Sequence, residues 1–177
     1  MTALAGLTFR AGRRDDAAAL ARLVRDAFAT YDEWADPNWE RPDLDAQTEL
    51  QLQARLGTSA CWALLAESDG QPVGYVALVP ARTLGEEPRH PIRRLAHLWH
   101  LFVLREWWGT GLAAHLLDEA VAEARRRGYR EARLFTPRDN RRARAFYERE
   151  GWSDSGLELF GDDLELQLVE YRRMLAP

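Results

Sequence analysis

The chain has 177 residues, of which 46% are hydrophobic and 29% are charged, and its formal net charge is −4. Its seven tryptophans, six phenylalanines and five tyrosines are too much apolar side chain for a disordered protein. The single cysteine, Cys61, excludes both an internal disulfide and a thiolate metal cluster. No apolar run approaches the roughly 20 residues that span a bilayer, and no secretion signal opens the chain. We therefore expect one cytoplasmic domain over residues 1–177, without a membrane partner.

All 24 basic residues are arginines, because the sequence contains no lysine. This composition excludes a phosphate-binding loop of the G-x-x-x-x-G-K-[ST] type and any chemistry that needs a lysine nucleophile. The arginines alternate with acidic residues, a pattern typical of solvated helix faces and not of a basic stripe. Together with the acidic net charge, this pattern argues against a nucleic acid partner.

Hydrophobic periodicity and turn residues predict elements in the order β α α β β β α β α β β. The strands are predicted at residues 7–10, 61–67, 73–79, 95–104, 131–136, 152–160 and 164–174. The helices are predicted at residues 16–28, 44–56, 112–127 and 140–151, and a polar loop at residues 82–94. Asp69-Gly70 predicts a hairpin, while helices between later strands predict parallel crossovers. The fold class is therefore α/β (α+β), with a mixed central sheet of about seven strands flanked by about four helices.

A glycine pair marks the passage from the fourth predicted strand to the third helix. Gly109 and Gly111 stand at the start of this helix, where backbone N–H groups lack internal partners and the helix dipole adds positive charge. Glycine lets a ligand oxygen approach closely, and residues 110–117 contain no acid that would repel it. The passage predicts a phosphate site. The alternative is a tight turn that only packs the helix against the sheet.

The same turn also fits a dinucleotide fingerprint. Residues 109–114, Gly-Thr-Gly-Leu-Ala-Ala, match the pattern G-x-G-x-x-[GA]. That fold needs an acid at the end of the next strand to bind the ribose, but this strand ends in Thr136-Pro137-Arg138. Glu131 has a suitable spacing but lies at the beginning of the strand. A dinucleotide-binding oxidoreductase is therefore the less favoured alternative.

Two motifs resemble the GNAT superfamily of acetyl-CoA-dependent N-acetyltransferases. Residues 108–113, Trp-Gly-Thr-Gly-Leu-Ala, are similar to the family pattern [QR]-x-x-G-x-[GA] between the fourth strand and the third helix. Residues 140–152 have the family's Asn at a helix start, an aromatic pair and a Gly-aromatic end. The predicted strand order also fits, so the resemblance covers nearly the whole chain. It departs at Trp108, where the family has Gln or Arg.

The resemblance implies that acetyl-CoA is the acyl donor and that no metal is needed. The fourth strand would bind the pantetheine arm between splayed parallel strands, and the glycine turn would bind the pyrophosphate. Of the arginines around Asn140 (Arg138, Arg141, Arg142 and Arg144), about one is expected to reach the phosphates. The cofactor-binding residues implied are Leu101, Phe102, Val103, Trp108, Gly109, Thr110, Gly111, Leu112, Ala113, Asn140 and Arg144.

Acetyl transfer to an amine needs a neutral nitrogen, a stabilised oxyanion and a proton for the departing thiolate. By the resemblance, Tyr147 would supply that proton, and a backbone N–H near Val103 would meet the oxyanion. His97 is the candidate base, because imidazole titrates near neutral pH; the alternative is a histidine packed on the sheet. His100 has the opposite strand parity, so in an unkinked strand at most one of the two histidines should face the acceptor.

An aromatic and acidic segment after the first helix is the candidate acceptor site. Its predicted substrate-binding residues are Tyr31, Glu33 and Trp34, because acids and aromatic faces attract a cationic amine. The alternative is a loop that its tryptophans hold on the core. We expect a primary amine of a small molecule or a peptide as the acceptor, attacked directly in a ternary complex.

Two further hypotheses concern function without catalysis and self-association. The Trp108 departure is compatible with a non-catalytic domain that binds an acyl-CoA and reports on it. A C-terminal hairpin with leucines at 157, 159, 164, 166 and 168 offers an apolar strand pair to a second copy, which would give a homodimer.

Overall fold

A computed structural model describes residues 4–85 and 87–175, which form one seven-stranded mixed sheet with helices on both faces. The strands are β1 Thr8–Ala11, β2 Trp62–Ser68, β3 Gln71–Arg82, β4 Pro91–Val103, β5 Glu131–Pro137, β6 Ser153–Gly161 and β7 Leu166–Met174. The helices are α1 Ala17–Phe28, α2 Asp45–Arg55, α3 Leu112–Arg126 and α4 Arg141–Arg149. The predicted α/β class and element order are confirmed.

The third and fourth strands are longer than predicted. Arg82 at the end of β3 pairs with Pro91 at the start of β4, so residues 82 and 91–94 of the predicted loop at residues 82–94 are strand and residues 83–90 connect the two strands. Pairing along this long antiparallel hairpin outweighs the turn signals of the local sequence. The long β4 places its C-terminal half in the middle of the sheet.

The sheet has the strand order β1-β2-β3-β4-β5-β7-β6, and its centre contains one parallel pair. This pair, β4 and β5, is joined over three residues of each strand, from Leu95 opposite Glu131 to His97 opposite Arg133. The neighbouring strand pairs are antiparallel. Beyond His97 the two central strands no longer pair, and the gap between them opens a cleft in the middle of the sheet.

An irregularity in β4 lies at the point where the two strands part. Leu98 is opposite Leu78 on β3, while His100 is opposite Ala77, so Trp99 is an extra residue in β4. The extra residue shifts the alternation of side chains by one. His97 and His100 therefore lie on the same face of the sheet, whereas alternation in an unkinked strand would place them on opposite faces.

Each face of the sheet has its own hydrophobic core. Helix α3 buries Leu112, Leu116 and Leu117 against one face, where they pack with β3 and β4. Helices α1 and α2 bury leucines against the other face, among them Leu20 and Leu52. These two faces give the cleft two differently built sides, an α3 side and an α1 side.

The C-terminal hairpin of β6 and β7 forms one edge of the sheet. Strand β6 is mostly exposed, and Phe160 keeps 52% of its surface accessible. The segment that connects the two strands is bound to the chain after α1, since Trp39 Nε1 donates to the Leu164 carbonyl at 2.9 Å. A homodimer through this hairpin stays a prediction.

Candidate active site

A cleft of about 930 Å3 occupies the gap between β4 and β5. Residues 98–103 of β4 line one side and residues 134–137 of β5 line the other. The start of α3 and much of α4 border it on one face of the sheet, and residues after α1 border it on the other. The cleft thus brings together residues that lie more than one hundred positions apart in the sequence.

The glycine turn borders the cleft with unobstructed backbone. Gly109 and Gly111 have φ values of 76° and 89°, in the left-handed region that favours glycine. No heavy atom lies within 4 Å of where a Cβ would stand on either residue. Gly111 is the N-cap of the 15-residue helix α3, whose first turn contains no acid. The turn therefore offers open space beside a helix N-terminus, as a bound phosphate requires.

Trp108, which stands at the family's Gln or Arg position, contacts both β4 and α4. Its Nε1 donates to the Val103 carbonyl at 3.0 Å. The guanidinium carbon of Arg142, in the first turn of α4, lies 3.7 Å from the centre of the Trp108 ring. Both residues line the cleft. Helix α4 thus places a guanidinium beside position 108.

Arg144, which was predicted to contact the coenzyme, does not line the cleft. Its Nε donates to the Tyr171 hydroxyl at 3.1 Å, and its terminal nitrogen pairs with Asp154 at 3.3 Å. Arg144 is therefore engaged with β6 and β7, whereas Arg142 and Arg149 of the same helix line the cleft. Helix periodicity explains the difference, because residues two positions apart point to opposite sides of a helix.

The other predicted cofactor-binding residues divide into two groups. Thr110 and Leu112 do not line the cleft: Thr110 Oγ1 donates to the Trp107 carbonyl at 2.7 Å, and Leu112 is fully buried in the core. Asn140 lines the cleft and caps α4, since its Oδ1 accepts from the Ala143 N–H at 3.0 Å. The remaining members that line the cleft are Leu101, Phe102, Val103, Gly109, Gly111 and Ala113.

Two tyrosines from different halves of the chain line the cleft. Tyr147 projects from α4 and packs beside Trp152, and Tyr31 lies in the 3-10 helix Ala29–Glu33. Burial raises the pKa of both hydroxyls, and the proximity of Tyr147 raises the pKa of Tyr31 further. Both hydroxyls therefore keep their protons at neutral pH and can act as donors.

The candidate base His97 does not line the cleft. It lies where β4 and β5 still pair, and its Nδ1 is buried without a hydrogen-bond partner among the described residues. Burial, reinforced by the charge of Arg133, lowers the pKa of His97 to about 3. The geometry fits the packed histidine better than the base.

A second histidine, His100, lines the cleft instead. Its Nδ1 lies 2.6 Å from the hydroxyl of Tyr75, and its ring stacks on Trp99 with 3.9 Å between centroids. Burial and the nearby Arg55 lower the pKa of His100 to about 3, so the ring is neutral at pH 7. The sequence did not show that His100 and not His97 would line the cleft, because the extra residue in β4 carries no turn signal.

The predicted acceptor residues Tyr31, Glu33 and Trp34 all line the cleft. The rings of Tyr31 and Trp34 are 4.5 Å apart, and Glu33 forms an ion pair with Arg105, which follows β4. Trp99 and Phe135 also line this side and were missed, since nothing in their local sequence distinguishes them from core residues.

Neither a metal centre nor a membrane span is found in the part of the chain that the structure describes. In residues 4–85 and 87–175, no three His, Cys, Asp or Glu side chains come close enough together to hold a metal ion. Over the same ranges, no helix has the length and apolar character needed to cross a membrane.

A family model confirms the family that the two motifs resemble. The acetyltransferase (GNAT) family matches residues 24–152, which include the glycine turn, both cleft tyrosines and Asn140. The chain therefore belongs to this family. Acetyl transfer is the activity of this class of enzyme, and acetyl-CoA is its donor. Membership does not favour the oxidoreductase or the non-catalytic sensor.

Two curated relatives agree with this assignment. An uncharacterized N-acetyltransferase of Bacillus subtilis (strain 168), YhfO, is 30% identical over 148 residues, 84% of this chain and 91% of the relative. An uncharacterized N-acetyltransferase of Archaeoglobus fulgidus is 36% identical over 84 residues, 48% of this chain and 54% of the relative. The chain thus matches about half the length of the archaeal relative.

Solved structures share the fold. The PaiA N-acetyltransferase of Thermoplasma acidophilum, in complex with coenzyme A, superposes with a TM-score of 0.72 at 16% identity, covering 95% of this chain and 98% of its own. A ribosomal-protein-alanine N-acetyltransferase of Brucella melitensis has a TM-score of 0.70 at 25% identity, covering 95% and 99%.

Proposed function

We propose that the protein transfers an acetyl group from acetyl-CoA to a primary amine of a small molecule or a peptide, by direct attack in a ternary complex. The observation that carries this proposal is the cleft between β4 and β5, which leads from the open glycine turn to Tyr147 and the aromatic residues after α1. The proposal takes residues 1–177 as one N-acetyltransferase domain, since β1 to β7 form a single sheet.

The chain offers two binding regions for acetyl-CoA. The amides around Gly109 and Gly111, with the Arg142 guanidinium, would bind its phosphates. The backbone of residues 101–103, which β5 leaves unpaired, would bind the pantetheine arm. When bound, acetyl-CoA supplies a thioester whose carbonyl carbon is open to attack by an amine.

Tyr147 is the proposed general acid. Its raised pKa keeps the hydroxyl protonated at neutral pH, so it can donate to the sulfur as the carbon–nitrogen bond forms and the carbon–sulfur bond breaks. The proton that the amine nitrogen loses restores the hydroxyl, so protons balance over one turnover.

His100, in place of the predicted base His97, is the proposed hydrogen-bond partner of the amine. With its proton on Nδ1, the ring donates to Tyr75 and leaves Nε2 to accept from the amine. Because the pKa of His100 is lowered to about 3, the ring is too weak a base to remove a proton from an ammonium ion. The amine therefore has to arrive neutral.

Calorimetry with acetyl-CoA and a thiol-release assay with primary amines test the proposal. We expect saturable binding and amine-dependent release of coenzyme A, with kcat/KM rising with pH as the amine itself deprotonates and no inflection near pH 6.5. Binding without thiol release would indicate a sensor, and binding of NAD in place of acetyl-CoA would overturn the proposal.

A further inference from the structure

The α1 side of the cleft is rich in aromatic rings and poor in charge. Five rings line it, on the segment after α1, on β4 and on β5: Tyr31, Trp34, Trp99, Phe102 and Phe135. Of the charged residues that line the cleft, Arg142, Arg149 and Glu150 belong to α4 or its C-cap. In the ranges that the structure describes, Glu33 is the one carboxylate that lines the α1 side.

The rings after α1 are held in place by one another. Tyr31 lies at their centre, with ring centroids 5.0 Å from Phe28, 4.5 Å from Trp34 and 6.3 Å from Trp39. Trp39 is in turn anchored by its hydrogen bond to the Leu164 carbonyl. Because the chain itself makes all of these contacts, an acceptor does not have to order the rings on this side.

The one carboxylate on this side already has a partner. Glu33 pairs with Arg105, so an acceptor amine would share this carboxylate with a guanidinium of the chain itself. An acceptor with several ammonium groups would find no second carboxylate for its additional charges among the described residues that line this side. The electrostatics of this wall therefore fit an acceptor with one amine.

We infer that the acceptor is a primary monoamine carried on a flat aromatic body, which packs against Trp34 and Tyr31. This inference rests on the proposed function and narrows its acceptor. An aromatic body gains both from burial and from ring-to-ring contact with these side chains. A single amine that is neutral when it attacks needs no second acid at the site.

Three probe amines test the inference at saturating acetyl-CoA: 2-phenylethylamine, n-butylamine and spermidine. Thiol release should give 2-phenylethylamine a kcat/KM about tenfold or more above n-butylamine, since burial of a ring is worth at least that factor. Spermidine should rank below 2-phenylethylamine by a similar factor. Equal values for the first two amines, or a preference for spermidine, would overturn the inference.

Trp34→Leu tests the wall itself, with Phe160→Leu on exposed β6 as the matched control. Trp34→Leu should raise the KM for 2-phenylethylamine about tenfold and leave that for n-butylamine nearly unchanged. Phe160 does not line the cleft, so its replacement should change neither value. Unchanged acetyl-CoA affinity by calorimetry shows that the Trp34 variant is folded, and an unchanged KM in it would contradict the inference.

The same measurements distinguish a wrong acceptor from a wrong proposed function. If wild-type protein binds acetyl-CoA and acetylates spermidine best, or acetylates none of the three amines, the aromatic monoamine is wrong and the coenzyme site stands. If acetyl-CoA does not bind at all, the proposed function itself is wrong.

Discussion

The two sides of the cleft are built in different ways. The α3 side combines the backbone of one short segment, residues 108–113, with side chains of the nearby helix α4, and the shape of that segment follows from two glycines and a helix start. The α1 side consists of side chains from the segment after α1, from β4 and from β5. A site made of local backbone can be recognised in a sequence, whereas a site assembled from distant side chains depends on how the strands part.

The largest expected effect concerns which side of the cleft supplies the general acid. Tyr147→Phe should lower kcat about a hundredfold or more, because a positioned acid typically contributes at least that factor. The KM for either substrate should change little, since the ring remains. Steady-state thiol release measures both parameters.

Tyr31→Phe is the matched control, because Tyr31 also lines the cleft with a raised hydroxyl pKa. Its kcat should fall far less than that of Tyr147→Phe. The reverse ranking would indicate that the general acid is Tyr31, on the α1 side of the cleft, and would contradict the assignment of Tyr147.

A second substitution tests the backbone character of the α3 side. Gly111→Ala would strain a left-handed residue and place a methyl group in the open space beside the amides. We expect the Kd for acetyl-CoA to rise about tenfold to a hundredfold, with a stability loss of about 1–2 kcal/mol. Calorimetry and thermal melting measure the two effects.

Gly128→Ala controls for strain at the other end of the same helix. Gly128 has φ of 80° and no heavy atom within 4 Å of its Cβ position, much as Gly111 does. It should lose similar stability and keep its coenzyme affinity. If both variants bind acetyl-CoA like the wild type, the turn does not hold the phosphates.

The sequence predicted the α3 side well because its determinants are local. The helix start at Leu112 and the N-cap at Asn140 follow from glycine, capping preference and amphipathic spacing, and the structure has both. The sequence could not show which of the arginines around Asn140 lines the cleft, since this depends on the rotation of α4 against the sheet, which tertiary packing sets. The extent of β3 and β4 likewise depended on their pairing and not on local turn residues.

The α1 side was predicted only where a single segment contributes to it. Tyr31, Glu33 and Trp34 stand close together, so their shared chemistry was visible. The sequence could not show that His100 lines the cleft and His97 does not. The one extra residue at Trp99 changes which side chains face the cleft without changing the hydrophobic pattern.

A third prediction concerns Arg142 of α4, whose guanidinium lies beside the glycine turn. Arg142→Ala should raise the Kd for acetyl-CoA about tenfold, as expected for loss of a hydrogen bond between charged groups. Arg141→Ala is the control, since Arg141 is the neighbouring exposed arginine of the same helix turn and does not line the cleft. Calorimetry at low and high salt should show a difference that shrinks with salt. Equal affinities for both variants would remove Arg142 from the site.

The smallest expected effect is a dependence of stability on pH. It tests whether His100, on the α1 side of the cleft, is uncharged in the folded protein. Since the folded-state pKa of His100 is about 3 against 6.5 for the unfolded chain, the unfolded state binds the proton more tightly in that window. Stability should therefore be full above pH 6.5 and decrease as the pH falls towards 3. The melting temperature at pH 5 should lie a few degrees below that at pH 7, and His100→Gln should narrow this difference. The exposed control His90→Gln should leave it unchanged; if all three proteins show the same difference, His100 is not held neutral and the acceptor wall carries a charge.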